Sequence, residues 1–232
     1  FAFELETQGV EVDYIEAKDE RADIRLLIKS LSESGQFKIQ IIDPTDNWLS
    51  KRINRSVNKH EVELVQYESP LFINSKEELS SFFRADKKSF FQTSFYKKQR
   101  SQRNLLMTSP GQPEGGKWTY DIDNRKPYPK DKTPPKIQLP KMDVFWKEAV
   151  EYVNTYFTNN YGNVSTYPLY PHTRKAASKW LLQFFRTRLH EFGVYEDAIV
   201  QNQSILNHSV LTPMLNVGLV QPMEVVYQAI TY

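Results

Sequence analysis

Two hydroxyls that can bind an anion, those of Ser209 and Thr212, lie together in the stretch His208-Ser209-Val210-Leu211-Thr212-Pro213-Met214-Leu215-Asn216-Val217-Gly218-Leu219. The order reads as the start and stop of a short helix. Thr212 fits the N-cap, Pro213 fits the first helical position, where no amide hydrogen is needed, and Gly218 fits the left-handed residue that closes the last turn. Unpaired amides, the positive helix end and the Ser209 and Thr212 hydroxyls would then converge, which is the chemistry of a phosphate clamp without a lysine. Tyr195 precedes this stretch, and its hydroxyl could reach the same ligand or simply plug the core. An ordinary capped core helix would carry the same residues.

Other chemistry is sparse. His60, His172, His190 and His208 lack metal-ligand spacing and form no nucleophile, base and orienting-acid set, so no catalytic residue and no metal site are expected. The chain contains no cysteine, which removes disulfides and thiolate ligands from its repertoire. Gly115-Gly116 lacks the strand-then-helix context of a dinucleotide loop, and Glu77-Glu78 reads as a solvated helix face. Between Phe82 and Met107, Phe82, Phe83, Phe90, Phe91, Phe95 and Tyr96 are interleaved with lysines and arginines. That pattern suits a surface that stacks bases and holds phosphates, but a helix with its Phe face in the core and its cations in solvent needs no ligand.

The elements that must position these residues fall into three stretches. Residues 1–107 alternate strand-like and helical segments: a helix from Phe1 to Gln8 stopped by Gly9, a strand over Val10–Ile15, a helix over Arg21–Ser32 closed by Gly35, a strand over Phe37–Ile42, a helix capped around Thr45-Asp46-Asn47, and a strand over Val62–Val65. Strand, helix, strand, helix, strand implies a parallel sheet with right-handed crossovers. Residues 108–140 hold seven of the thirteen prolines and are expected to be a long irregular connection anchored by Trp118 and Tyr120. Residues 141–232 are helical, with segments at Val144–Phe157, Thr173–Phe192 and Pro222–Ile230.

A formal net charge of +2 is too small to imply a nucleic-acid or membrane partner, so any such case must rest on local clusters. No apolar run reaches the length of a membrane span, the opening residues do not resemble a signal peptide, and cytoplasmic localisation is the default expectation. The chain opens on Phe1 in an amphipathic pattern, which suggests an internal piece of a longer protein that has lost at least one earlier strand.

Two blocks resemble the iron-sulfur bacterial cryptochrome and (6-4) photolyase branch, the deoxyribodipyrimidine photolyase-related proteins. One runs from Phe90-Phe91 through Tyr96-Lys97-Lys98-Gln99-Arg100 and Leu105-Leu106-Met107 to Gly115-Gly116-Lys117-Trp118-Thr119-Tyr120-Asp121 and Asn124-Arg125-Lys126-Pro127. The other is Phe192-Gly193-Val194-Tyr195-Glu196-Asp197-Ala198 followed by His208 to Leu219, and it is similar to the wider pattern of a Tyr, a spacer, Thr-Ser-x-Leu-Ser-Pro and a later Gly. His208 replaces the usual Thr, and Thr212 replaces the usual Ser but keeps its hydroxyl.

The resemblance implies an α/β plus all-α protein: a truncated Rossmann-like antenna domain over residues 1–107, a linker over 108–140, and the first helices of a helical FAD-binding domain over 141–232. It implies light-driven repair of pyrimidine photoproducts, with the (6-4) lesion as the expected substrate, by electron transfer from reduced flavin in a monomer that acts on UV-damaged DNA. Tyr195, His208, Ser209, Leu211 and Thr212 would contact FAD, mainly at its phosphates. The four cysteines of a [4Fe-4S] cluster and most of a ribityllumazine antenna site would lie outside these residues, so this piece should be inactive alone and hold flavin weakly. Two alternatives remain open: a cryptochrome-like photoreceptor without repair activity, and an unrelated nucleotide or nucleic-acid binding module.

Overall fold

The structure is a computed structural model describing residues 1–164 and 167–232. It comprises two compact units, Phe1–Ser75 and Lys76–Tyr232. The expected combination of an α/β part and a helical part is present.

In the first unit a short helix α1 (Ala2–Glu6) is followed by α2 (Ile24–Glu33), β1 (Lys38–Ile42), α3 (Asn47–Lys59) and β2 (Glu63–Tyr67). Asp23 and Asp46 explain the helix starts, since each carboxylate accepts an amide of the first turn, Arg25 N–H and Leu49 N–H respectively. Gly35 ends α2 in the left-handed region at φ +86. The two strands pair in parallel from Lys38 opposite Glu63 to Ile42 opposite Tyr67, with α3 as the crossover. Ile28, Ile53, Val57 and Val62 form the buried core, and Ile39, Ile41 and Leu64 from the strands pack against it. Val10–Ile15 was expected to be a strand and is not. The alternating pattern is there, but among the described residues the segment pairs with neither β1 nor β2, which bond only to each other.

The second unit contains α4 (Lys76–Ser80), α5 (Gln92–Arg103), a small hairpin of β3 (Met107–Ser109) and β4 (Gln112–Pro113), α6 (Val144–Tyr156), α7 (Arg174–Thr187), α8 (Leu189–Phe192), α9 (Thr212–Asn216) and α10 (Pro222–Thr231). Ala177, Trp180, Leu181, Phe184 and Phe185 line one face of α7 and meet Leu211, Met214, Leu219 and Val220 in the main core. The single helix expected over Thr173–Phe192 is instead interrupted at Arg188, whose backbone (φ −135, ψ −26) leaves the helical region. The aromatic and basic segment also differs from expectation. Phe91 is 66% exposed while Arg100 is buried, because the Arg100 guanidinium donates to the carbonyls of Leu105 (3.2 Å), Leu106 (2.5 Å) and Trp118 (3.1 Å). A cation on the inner face of α5 thus gathers the helix end, the hairpin and the start of the long connection.

That connection was expected to be irregular throughout, but its start forms the β3–β4 hairpin and a 3-10 turn at Glu114–Gly116; beyond these it is irregular and held at several points. Gln138 and Gln183 exchange reciprocal hydrogen bonds of 2.9 and 3.1 Å, Lys132 pairs with Glu191, and Asp197 N–H donates to the Asn124 carbonyl at 3.4 Å. Tyr120 Oη donates to the Gly115 carbonyl at 3.2 Å, and a Cβ on Gly115, whose φ is +72, would sit 2.1 Å from Tyr120 Oη, so a larger residue would strain the backbone and displace the Tyr120 hydroxyl.

Candidate functional site

The loop from His208 to Leu211 is shaped from beneath by two buried side chains. Arg188 Nε donates to the His208 carbonyl at 3.0 Å, and Trp180 Nε1 donates to the Ser209 carbonyl at 3.1 Å. Both peptides are trans, so their amides, Ser209 N–H and Val210 N–H, point away from the core donors. Neither amide finds an acceptor among the described residues, and neither do the hydroxyls of Ser209 and Thr212.

Val210 adopts φ +52, which a β-branched side chain takes up only at a cost of about 1–3 kcal/mol. Leu211 follows in the right-handed region (φ −92, ψ −15). A left-handed residue next to a right-handed one turns successive amides into a concave nest, a shape that receives anions. The start of α9 differs from the expected Thr212 cap with Pro213 at the first helical position. Thr212 is the first helical residue and Pro213 the second, Leu211 occupies the N-cap without a side-chain bond, and α9 has only 5 residues. Its dipole is small, and the bent backbone ahead of it offers the donors. Gly218 closes α9 at φ +73 as expected, with Leu219 N–H donating to the Met214 carbonyl at 2.9 Å.

Arg188 is 0% exposed. Its Nη1 and Nη2 atoms are buried and find no hydrogen-bond acceptor among the described residues. Desolvation draws its pKa below the ordinary arginine value, and it forms no ion pair among the described residues. Its guanidinium lies 5.6 Å from the Phe184 ring and 5.9 Å from the Trp180 ring. The result is a buried positive charge directly behind the nest. Asn207, also fully buried, leaves its Oδ1 unpaired while its amide group reaches Glu191 at 3.5 Å.

The remaining sequence candidates divide. His208 Nε2 lies 2.9 Å from the Glu196 carbonyl, which can only accept, and Nδ1 takes the Leu206 N–H at 3.4 Å, so the proton is on Nε2. This bond ties the loop to the residue after Tyr195. The Tyr195 ring packs 4.9 Å from Tyr128 with the Lys132 ammonium 5.0 Å from its centre. The Leu211 side chain is in the core. A cleft of about 230 Å³ beside His208 is bordered by Glu196 and Asp197, and it is smaller than the roughly 300–1,000 Å³ typical of a cofactor site.

Sequence reasoning missed Arg188 and counted Trp180 only as core. The available signal was an arginine continuing the apolar stripe of α7, one turn past Phe184. Among the described residues no group of three or more His, Asp or Glu side chains could hold a metal ion, and no helix is long and apolar enough to cross a membrane.

The chain is similar to known proteins over most of its length. The chain is 28% identical over 231 residues to the (6-4) photolyase of Agrobacterium fabrum, a match covering 97% of this chain and 44% of that protein. It is 33% identical over 129 residues to an uncharacterized protein of Acanthamoeba polyphaga mimivirus, covering 54% of this chain and 64% of the relative. The chain thus spans less than two thirds of either relative. Residues 1–168 match the family described as deoxyribodipyrimidine photo-lyase-related protein, and the chain belongs to that family.

Proposed function

We propose that this chain contributes the phosphate-binding end of an FAD site in a light-dependent DNA photolyase, and that the whole protein repairs UV-induced pyrimidine photoproducts of the (6-4) type. The observation that carries this reading is the pair of inward-pinned carbonyls at His208 and Ser209, which frees two amides beside two unpaired hydroxyls and over a buried cation. Similarity to a (6-4) photolyase along nearly the whole chain supports the assignment of substrate class.

These donors fit the diphosphate of FAD. Ser209 and Thr212 would donate their hydroxyls, the Ser209 and Val210 amides would complete the nest, and Arg188 would offset the negative charge without touching it. Tyr195 and His208 would border the same ligand, and Leu211 would take part through its backbone. Bound FAD supplies the light-absorbing, electron-donating chemistry. The chain's own residues bind and orient its phosphates and exclude water beneath them. In this reading residues 1–107 belong to a Rossmann-like antenna-type domain, 108–140 connect it, and 141–232 begin the FAD-binding domain. A [4Fe-4S] cluster would be held by other parts of the whole protein, since these residues include no cysteine, and so would most of a ribityllumazine antenna site under the same family reading.

The test is to purify the whole protein, record its flavin absorption, and illuminate it with an oligonucleotide carrying one (6-4) photoproduct. Flavin-containing protein that restores the undamaged bases only in light is expected. Flavin without repair would move the assignment to a photoreceptor, and protein without flavin would overturn the cofactor site.

A further inference from the structure

The first unit carries a second surface with its own chemistry. Helix α3 contains Lys51, Arg52, Arg55 and Lys59 and no acidic residue, in a chain whose 30 basic and 28 acidic residues are otherwise nearly balanced. Together with Arg25 and Lys29 of α2, these four cations line one groove on the surface of the unit. Asp23 pairs with Arg25, and Glu33 lies 3.7 Å from Lys29, so the α2 cations are locally neutralised. Lys51, Arg55 and Lys59 form no ion pair among the described residues. Spacing of four residues puts them on one face with steps of about 6 Å along the helix axis. Such steps are of the size that separates neighbouring phosphates on a nucleic-acid strand.

Trp48 lies one turn before Arg52 and is 61% exposed, with the Arg52 guanidinium 3.2 Å from its ring centre. An exposed indole under a guanidinium is a flat, positively charged platform on which a base or sugar can rest. A merely solvated helix face needs neither the absence of acids nor a large exposed aromatic at its end.

We infer that the α3 groove is a binding surface for a nucleic-acid strand, with Lys51, Arg55 and Lys59 on its phosphates and Trp48 with Arg52 against an unpaired base. This surface is independent of the flavin reading, because none of its residues belongs to the nest. Electrostatic contacts of this kind show in the salt dependence of binding.

The full chain is titrated in the dark with a labelled, undamaged single-stranded 20-mer across a salt series, alongside K51E/R55E/K59E, the charge-conserving K51R/R55K/K59R, W48A and S209A/T212A. The charge reversal should weaken binding by at least about tenfold and lower the slope of log K against log salt by roughly 2. W48A should weaken binding with the slope unchanged, and the charge-conserving and S209A/T212A variants should bind as the unaltered chain does. The inference is overturned if the charge reversal, with an unaltered circular dichroism spectrum, leaves affinity and slope unchanged, or if the unaltered chain binds anionic phospholipid vesicles but not the oligonucleotide. An equal loss in the charge-conserving variant would also overturn it.

Discussion

Arg188 Nε donates to the His208 carbonyl at 3.0 Å while the other two nitrogens of the guanidinium stay buried and unpaired. That single bond fixes the peptide whose amide belongs to Ser209. Replacing Arg188 with Met keeps the bulk, removes the charge and strands a carbonyl, which costs about 1–3 kcal/mol. Binding of pyrophosphate or FAD should fall by about tenfold or more in R188M and by less in R188K. Isothermal titration with pyrophosphate measures this directly, and equal binding by R188M would remove the cation from the account.

Trp180 holds the neighbouring carbonyl from the same side. W180F deletes the Nε1 donor to the Ser209 carbonyl and shrinks a fully packed position. The expected loss is about 2–4 kcal/mol of stability from the unmade bond and the space left. Urea unfolding followed by circular dichroism gives the value, and a change below about 0.5 kcal/mol would mean the bond is absent in solution.

Arg100 makes a comparable structural demand in the other half of the second unit. Its three carbonyl contacts join α5, the hairpin and Trp118, so R100M should destabilise by about 2–4 kcal/mol and expose residues 107–120 to protease. Limited proteolysis with mass spectrometry locates the first cuts. Cleavage unchanged in rate and position would contradict the anchoring.

The Lys132–Glu191 pair gives the long connection a pH dependence. The Lys132 hydrogen bond lowers the Glu191 pKa, and the same bond raises that of Lys132. A carboxylate depressed in the folded state contributes stability that is present above its unfolded pKa and lost as pH falls through the folded value. The Lys132 contribution is present at neutral pH and lost only in strong alkali. Thermal midpoints should therefore decline in acid below the ordinary glutamate range, and more shallowly in K132M/E191Q. Identical acid profiles for the two proteins would show that the pair is not formed.

Much of this was legible in the residues. Asp46 before Trp48-Leu49, Gly35 after Ser32, and Thr173 before α7 marked helix ends that the structure matches closely, because caps are local, whereas the stripe running on to Leu189 concealed the break at Arg188. Val10–Ile15 shows the limit of periodicity: alternation prepares a strand, but only a neighbouring ladder makes one. The clamp stretch was identified for its hydroxyls and glycine, while the positive φ of Val210 had no local sign and the burial of Arg188 showed only as an arginine continuing the α7 stripe. Both arise from contacts across 20 or more residues, which set the backbone against local preference. Arg100 escaped notice for another reason: its partners lie 5, 6 and 18 residues away, but a basic residue among lysines gives no sign that those partners are carbonyls.

Val210 itself separates a nest from a plain loop. V210G can take the observed φ without strain and keeps its amide, so flavin affinity in the whole protein should stay within about tenfold. V210P can take neither, since its ring fixes φ near −65° and removes the N–H, and it should bind FAD far more weakly. Flavin content after gel filtration compares them, and equal retention by the two would exclude a role for that amide.

The central claim is tested most directly by measuring FAD affinity of the whole protein and of its S209A/T212A variant by flavin fluorescence titration. Loss of both hydroxyls should weaken binding by about 1–3 kcal/mol, or roughly 5- to 150-fold, with the thermal midpoint of the flavin-free protein unchanged. Equal affinity in the two proteins would show that the phosphates are held elsewhere.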